Sequence, residues 1–146
     1  MIRLCTLLPP LFALHLLLIG SAEPLRAENP SSRFTLCHGM GGPDCVVDGD
    51  TFWLEGAKIR IADIDTPETH GPRCSAEGAL GMRATQRLLA LLNAGTFSLV
   101  PVKRERDRYG RTLRIVTRQG QSIGALLVAE GLARPWTGAR QPWCRS

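Results

Sequence analysis

Hydrophobic and polar positions change rhythm along this chain, and each change marks an element. Leu4 to Gly20 is almost wholly apolar, with Pro9-Pro10 inside it. Glu23 to Ser32 is polar and proline-containing, the pattern of a flexible lead-in. Arg33 to Cys37 reads as a short strand. Val46 to Leu54 is β-prone around a central Asp48-Gly49-Asp50, Glu55-Gly56 marks a turn, and Lys58 to Ile64 alternates as the next strand of a hairpin. Thr66-Pro67 stops that strand, because proline has no N–H to give to a ladder.

After a loop from Thr69 to Cys74, Ser75 is the expected N-cap of a helix running to about Leu92. Leu80, Ala84, Leu88 and Leu91 fall on one face of that helix, and Arg83 and Arg87 lie off it. Asn93-Ala94-Gly95 closes it. Thr96 to Val102 and Thr112 to Arg118 read as two strands joined by the charged turn Arg104 to Gly110. Ser122 is placed to cap a short helix from Ile123 to Glu130, closed by Gly131, and the tail from Leu132 to Ser146 is expected to be irregular. Strands, a long helix, two strands and a short helix predict a mainly β, α+β domain. A small barrel with two helices packed on it fits this order better than a sandwich or a doubly wound sheet.

The chain has 146 residues, the size of one domain. Residues 1–22 carry a positive start at Arg3, the apolar run and small residues at Gly20-Ser21-Ala22, the pattern of a signal peptide cut after Ala22. A second possible cut follows Ala27. A retained anchor is the other reading, but the run of about 17 residues is at the low end for a membrane span. A secreted or periplasmic protein with no stable membrane association is therefore expected, and a monomer. Cleavage removes Cys5 and leaves Cys37, Cys45, Cys74 and Cys144, an even set that suits disulfides in an oxidising compartment. Three pairings are open. The expectation here is Cys37–Cys45, stapling a glycine-rich loop within a lead-in at 23–45, and Cys74–Cys144, tying the tail of the 46–146 domain to its middle. A zinc site at Cys37, His38 and Cys45 is the rival, with ligand spacing that fits zinc poorly. The formal charge is +5, or +4 without residues 1–22, which suits a polyanionic partner.

Candidate chemistry gathers on two turns. Asp48, Asp50, Asp65 and Glu68 sit at the two ends of the expected hairpin. Each turn alone is ordinary, since aspartate favours turns. Together these hard oxygen donors suit Ca²⁺ or Mg²⁺ rather than zinc. Arg60 lies in the strand that delivers Asp65, and Arg111 closes the turn from Asp107. Read blandly, both are surface charges. Phosphoryl transfer, however, needs planar, permanent cations that grip phosphate oxygens, and a carboxylate to position or deprotonate water.

Val46-Val47-Asp48-Gly49-Asp50-Thr51, Ile59 to Glu68 and Asp107-Arg108-Tyr109-Gly110-Arg111 resemble, in order and spacing, three signature segments of the staphylococcal nuclease (thermonuclease) family. Gly131-Leu132-Ala133-Arg134 resembles a fourth. The resemblance implies a five-stranded OB-type barrel. It also implies Ca²⁺ held by Asp50, Asp65 and the Thr66 carbonyl, with Asp48 supporting it through water. Glu68 would be the general base or orient the attacking water. Arg60 and Arg111 would hold the phosphate, and Tyr109 would shape its site. The implied activity is hydrolysis of DNA and RNA to 3′-phosphate ends.

The chain departs from the family pattern in its loop after Glu68, where Gly71-Pro72 and Cys74 replace a lysine-rich stretch. It departs again in its tail, where only 15 residues follow Gly131. Trp136 in that tail reads equally as a base-stacking residue or a core plug. Two other functions stay open: a non-catalytic module binding nucleic acid or another polyanion, and a phosphodiesterase with a different substrate. The presence of every acid and arginine favours the enzyme.

Overall fold

The computed structural model describes residues 26–27, 33–39 and 41–144. The expected signal peptide and its cut after Ala22 lie outside these residues. Five strands of four residues or more form the body: β3 (Cys45–Asp48), β4 (Thr51–Leu54), β5 (Ala57–Ile61), β7 (Phe97–Arg106) and β8 (Thr112–Arg118). Two-residue strands β1 (Arg26–Ala27), β2 (Thr35–Leu36), β6 (Ile64–Asp65), β9 (Gln121–Ser122) and β10 (Arg134–Pro135) complete the set, with helices α1 (Ser75–Asn93) and α2 (Ile123–Ala129). The main sheet runs β1-β7-β8-β5-β4-β3-β2, with β9 beside β8, and β6 pairs separately with β10. This is the α+β architecture expected. Its ladder path ends at β1 and β2 without joining them, so the barrel is a loose one.

Asp48-Gly49-Asp50 turns β3 into β4, and Glu55 and Gly56, both at positive φ, turn β4 into β5. Alternation then buries Val46, Phe52, Ile59 and Ile61 on one side of the sheet. Phe52 meets Phe34 edge-on with ring centres 5.9 Å apart and Phe97 at 6.1 Å, a pairing geometry favoured by aromatic quadrupoles. Leu88, Leu91 and Leu92 from α1 and Ile123 and Leu127 from α2 close this core. Asn93, the last residue of α1, accepts a hydrogen bond from Phe34 N–H and donates one to its carbonyl, at 2.9 and 3.0 Å.

Five expectations about the elements are corrected. Helix α1 is capped by Cys74 in an extended conformation, not by Ser75. The Cys74 sulfur is committed to a disulfide, and Glu77 instead accepts the Arg73 N–H at 2.6 Å. Leu80 is only partly buried, because the buried face of α1 centres on Gly81, Ala84, Thr85 and Leu88. The strand expected over Lys58 to Ile64 breaks at Ala62-Asp63, where Asp63 is held by Ser122 Oγ at 2.7 Å. Strand β7 continues through Lys103–Arg106, so the connecting turn starts at Asp107, and the tail contains strand β10.

The disulfides join Cys37 to Cys45 and Cys74 to Cys144. The first leaves no thiolate for zinc at Cys37 and Cys45. The second closes a loop of 70 residues, the longer and by chain entropy the more stabilising of the two.

Candidate active site

The β3–β4 turn and strand β6 bring acids together, and the end of β5 brings Arg60. Asp48 Oδ1 accepts the Asp50 N–H at 3.1 Å, and Asp50 Oδ1 accepts from Thr51 Oγ1 at 2.8 Å. Gly49 makes this approach possible: a Cβ there would stand 2.7 Å from Ala84 Cβ in α1 and 3.0 Å from Thr66 Cβ. Asp50, Asp65 and Thr66 are almost fully buried.

Arg60 is buried with them and ties them together. Its Nη2 donates to Asp50 Oδ2 at 3.2 Å and to the Ile64 carbonyl at 3.1 Å, and stands 3.8 Å from Asp65 Oδ1. Its Nη1 donates to the Ile61 carbonyl at 3.1 Å. The Trp136 ring covers the guanidinium at 5.0 Å. Trp136 is 38% exposed, so it is a lid on Arg60 rather than the core plug that sequence left open.

Arg111 reaches the cluster from the β7–β8 turn. Asp107 holds it by two hydrogen bonds, and its Nη1 donates to Thr51 Oγ1 at 3.4 Å. Burial works to raise the Asp107 carboxyl, but the bonds from Arg111 and Tyr109 outweigh it and leave the group below its ordinary value. Tyr109 is 67% exposed and lies under the Arg108 and Arg111 guanidinium groups at 4.8 and 5.5 Å. Glu68 is half-buried and joins the cluster through the tail: Arg140 pairs with Glu68 Oε1 by Nη1 and stands 3.3 Å from Asp65 Oδ1 by Nε. Trp143 Nε1 donates to the other Asp65 oxygen at 3.3 Å.

These contacts line a cleft of about 1190 Å³, with Asp48, Arg60, Glu68, Tyr109 and Arg111 among its walls. Lys58, Arg73, Lys103, Arg104 and Arg108 also face it. The cleft thus sets a basic wall over an acidic floor, with both signs of charge in one place. Burial first, and the neighbouring Asp50 charge second, push Asp48 up from 3.8 to about 7. Burial also raises Asp65, against the pull of Arg140. Asp65 Oδ1 is buried without an aligned hydrogen-bond donor. Crowded carboxylates with an oxygen lacking a donor are the chemistry of a hard divalent-cation site, and these residues fit one.

Sequence reasoning missed Arg140, Trp143 and the linking hydroxyl of Thr51 as members of the site. The two tail residues carry one sequence signal, their position just before Cys144.

Several proteins named as nucleases are similar to this chain. The chain is similar to Endonuclease YncB of Bacillus subtilis (strain 168), 38% identical over 96 residues, covering 62% of this chain and 45% of that one. It is similar to a Micrococcal nuclease of Shigella flexneri, 36% identical over 103 residues, covering 60% and 53%. A Thermonuclease of Staphylococcus hyicus is 34% identical over 93 residues, covering 61% and 54%. The chain thus spans about half the length of the curated relatives it matches. The family described as Staphylococcal nuclease homologue matches residues 58–143, a span that holds Arg60, Asp65, Glu68, Arg111 and the strap of tail over them. With more than half its length inside that match, the chain belongs to the staphylococcal nuclease family.

Proposed function

We propose that this protein is an exported, calcium-dependent nuclease that hydrolyses phosphodiester bonds of DNA and RNA to 3′-phosphate ends. The observation that carries this reading is Arg60, a buried fork held between Asp50 and Asp65 at the floor of a basic cleft that Arg111 enters from the opposite turn. A neutral-ligand site has no use for two arginines above buried carboxylates, whereas a phosphodiester needs both signs of charge.

Asp50, Asp65 and the Thr66 carbonyl would hold the calcium ion, with Asp48 acting through water. Bound calcium supplies positive charge to a phosphate oxygen as negative charge builds there. Arg60 and Arg111 grip the same phosphate. Glu68 orients a water and takes its proton as the oxygen attacks phosphorus. The bond from phosphorus to the 5′ oxygen then breaks, the oxygen keeps the electron pair and takes a proton from solvent, and a 3′-phosphate and a 5′-hydroxyl remain. Tyr109 and its flanking arginines bound the phosphate site on the solvent side. Two disulfides support export to an oxidising compartment. Among the described residues, no helix is long and apolar enough to cross a membrane.

The test is digestion of plasmid DNA and RNA by the oxidised chain, with calcium and with a chelator, alongside Glu68→Gln. Calcium-dependent cleavage reduced about a hundredfold or more in the variant is expected for loss of a general base. A folded chain that binds polyanions without cleaving them would instead be a binding module. One that splits a nitrophenyl phosphodiester but leaves plasmid intact would be a phosphodiesterase with another substrate.

A further inference from the structure

The tail is fastened at two places and crosses the acidic floor between them. At its start, Arg134 and Pro135 pair with Asp65 and Ile64, and the Trp136 N–H donates to the Asp63 carbonyl at 2.8 Å. At its end, Cys144 is bonded to Cys74, the cap of α1. Residues 137–142 between these anchors are exposed, so the strap has little packing of its own. Its contacts are electrostatic and aimed at two carboxylates. Arg140 pairs with Glu68 and Asp65, Trp143 donates to Asp65, and the Arg134 guanidinium stacks on Trp143 at 3.8 Å. Asp65 therefore has a tail group beside each of its oxygens, besides Arg60 at 3.8 Å.

We propose that this strap is a tethered counter-ion: Arg140, held beside Glu68, competes with the divalent cation for Asp65, and the Cys74–Cys144 bond keeps it close enough to compete. The inference rests on the reading of Asp65 as a ligand in the proposed nuclease. A guanidinium and a divalent cation on one carboxylate repel each other, so each weakens the other's hold. That coupling is reciprocal: whatever the strap takes from cation affinity, the cation takes from the strap. Tethering matters because a half-exposed ion pair is weak on its own, while a group fixed at both ends returns to its partner at high effective concentration. Cation binding then turns the strap outward, and Arg140 becomes part of the cleft wall, where a phosphate backbone passes.

The test is calorimetric titration of the full oxidised chain with calcium alone, without nucleic acid, for wild type, Arg140→Gln, Arg140→Lys and the double variant Cys74→Ser/Cys144→Ser. Arg140→Gln is expected to bind calcium about two- to fivefold more tightly, the range a half-exposed ion pair can supply. Arg140→Lys should stay near wild type, because it keeps the charge. The cysteine double variant should shift in the same direction as Arg140→Gln. If it fails to fold, Arg140→Gln, which keeps both bridges, carries the test alone. In the wild-type chain, calcium should also shift the Trp143 indole N–H resonance as the strap leaves Asp65. Equal or weaker calcium binding by Arg140→Gln overturns the strap. Absence of calcium binding in every variant, Arg140→Gln included, overturns the calcium reading and the strap with it, a result distinct from equal affinities.

Discussion

Asp107 grips Arg111 twice: its Oδ2 accepts from Arg111 Nε at 2.6 Å, and its Oδ1 accepts the Arg111 backbone N–H at 3.0 Å. The same Oδ1 accepts the Tyr109 N–H at 2.9 Å, so one carboxylate sets both the turn and the direction of the guanidinium. Asp107→Ala should leave the barrel intact and lower kcat/KM about tenfold to a hundredfold, as expected when a transition-state donor loses its aim. Steady-state kinetics beside a thermal melt check this, and a wild-type rate would show that Asp107 does not aim Arg111. Because the Asp107 carboxyl is lowered in the fold, its contribution to stability is present at neutral pH and is lost only when acid carries it through that lowered value.

Arg60 neutralises two carboxylates that water barely reaches. Arg60→Ala takes the guanidinium from Asp50 and leaves Asp65 to Arg140 and Trp143, and loss of one partner from a buried ion cluster costs about 3–5 kcal/mol. Arg60→Lys should recover part of that stability but not the activity, since a single ammonium cannot reproduce the fork to Asp50, Ile61 and Ile64. Calcium should restore more stability to Arg60→Ala than it adds to wild type. Urea melts with and without calcium decide it, and equal calcium increments would argue that the ion does not sit on these two acids.

The acids and arginines were legible from sequence because they lie in short runs whose turns are locally encoded. Asp48-Gly49-Asp50 and Asp65-Thr66-Pro67-Glu68 each fold by their own chemistry, and the hairpin between them brings their ends together. Arg140 was not legible, since nothing local links it to Glu68. Its place follows from a 70-residue loop closed by Cys74–Cys144 and from the pairing of β10 with β6. Strand β7 was cut short for a related reason. Lys103 to Arg106 show no buried face, and Arg106 is held in the strand by its partner Thr112 rather than by any alternation of its own.

Glu68 is positioned from behind by a glycine. Helix α1 passes so close to the Pro67-Glu68 backbone that a Cβ on Gly81 would stand 2.7 Å from the Pro67 carbonyl oxygen and 3.0 Å from that of Glu68. Neither backbone oxygen can swing aside like a side-chain tip. Gly81→Ala should therefore cost about 1–3 kcal/mol by overpacking and shift Glu68, lowering kcat several-fold. Ala90→Gly, on the exposed side of α1, is the control: it should cost about 1 kcal/mol through helix propensity and leave kcat unchanged. Equal kcat values in the two variants would mean that the spacing serves packing alone.

Asp48 links calcium to pH. Burial and the Asp50 charge raise it from 3.8 to about 7, so between these values the folded chain holds a proton that the unfolded chain has released. Folding is favoured by that proton at low pH, and the advantage drains away as pH rises from about 4 to 7. Above 7 the group is ionised beside Asp50, which is where an added divalent cation relieves the most repulsion. The rise in melting temperature produced by calcium should accordingly be small at pH 5 and grow through pH 8. In Asp48→Asn the folded chain carries no such proton, so the increment should be flatter with pH and smaller at pH 8. Differential scanning calorimetry of both chains at four pH values, with calcium or a chelator, measures it. Parallel curves for the two chains would show that Asp48 does not report on the cation, and that another acid of the cluster sets the dependence.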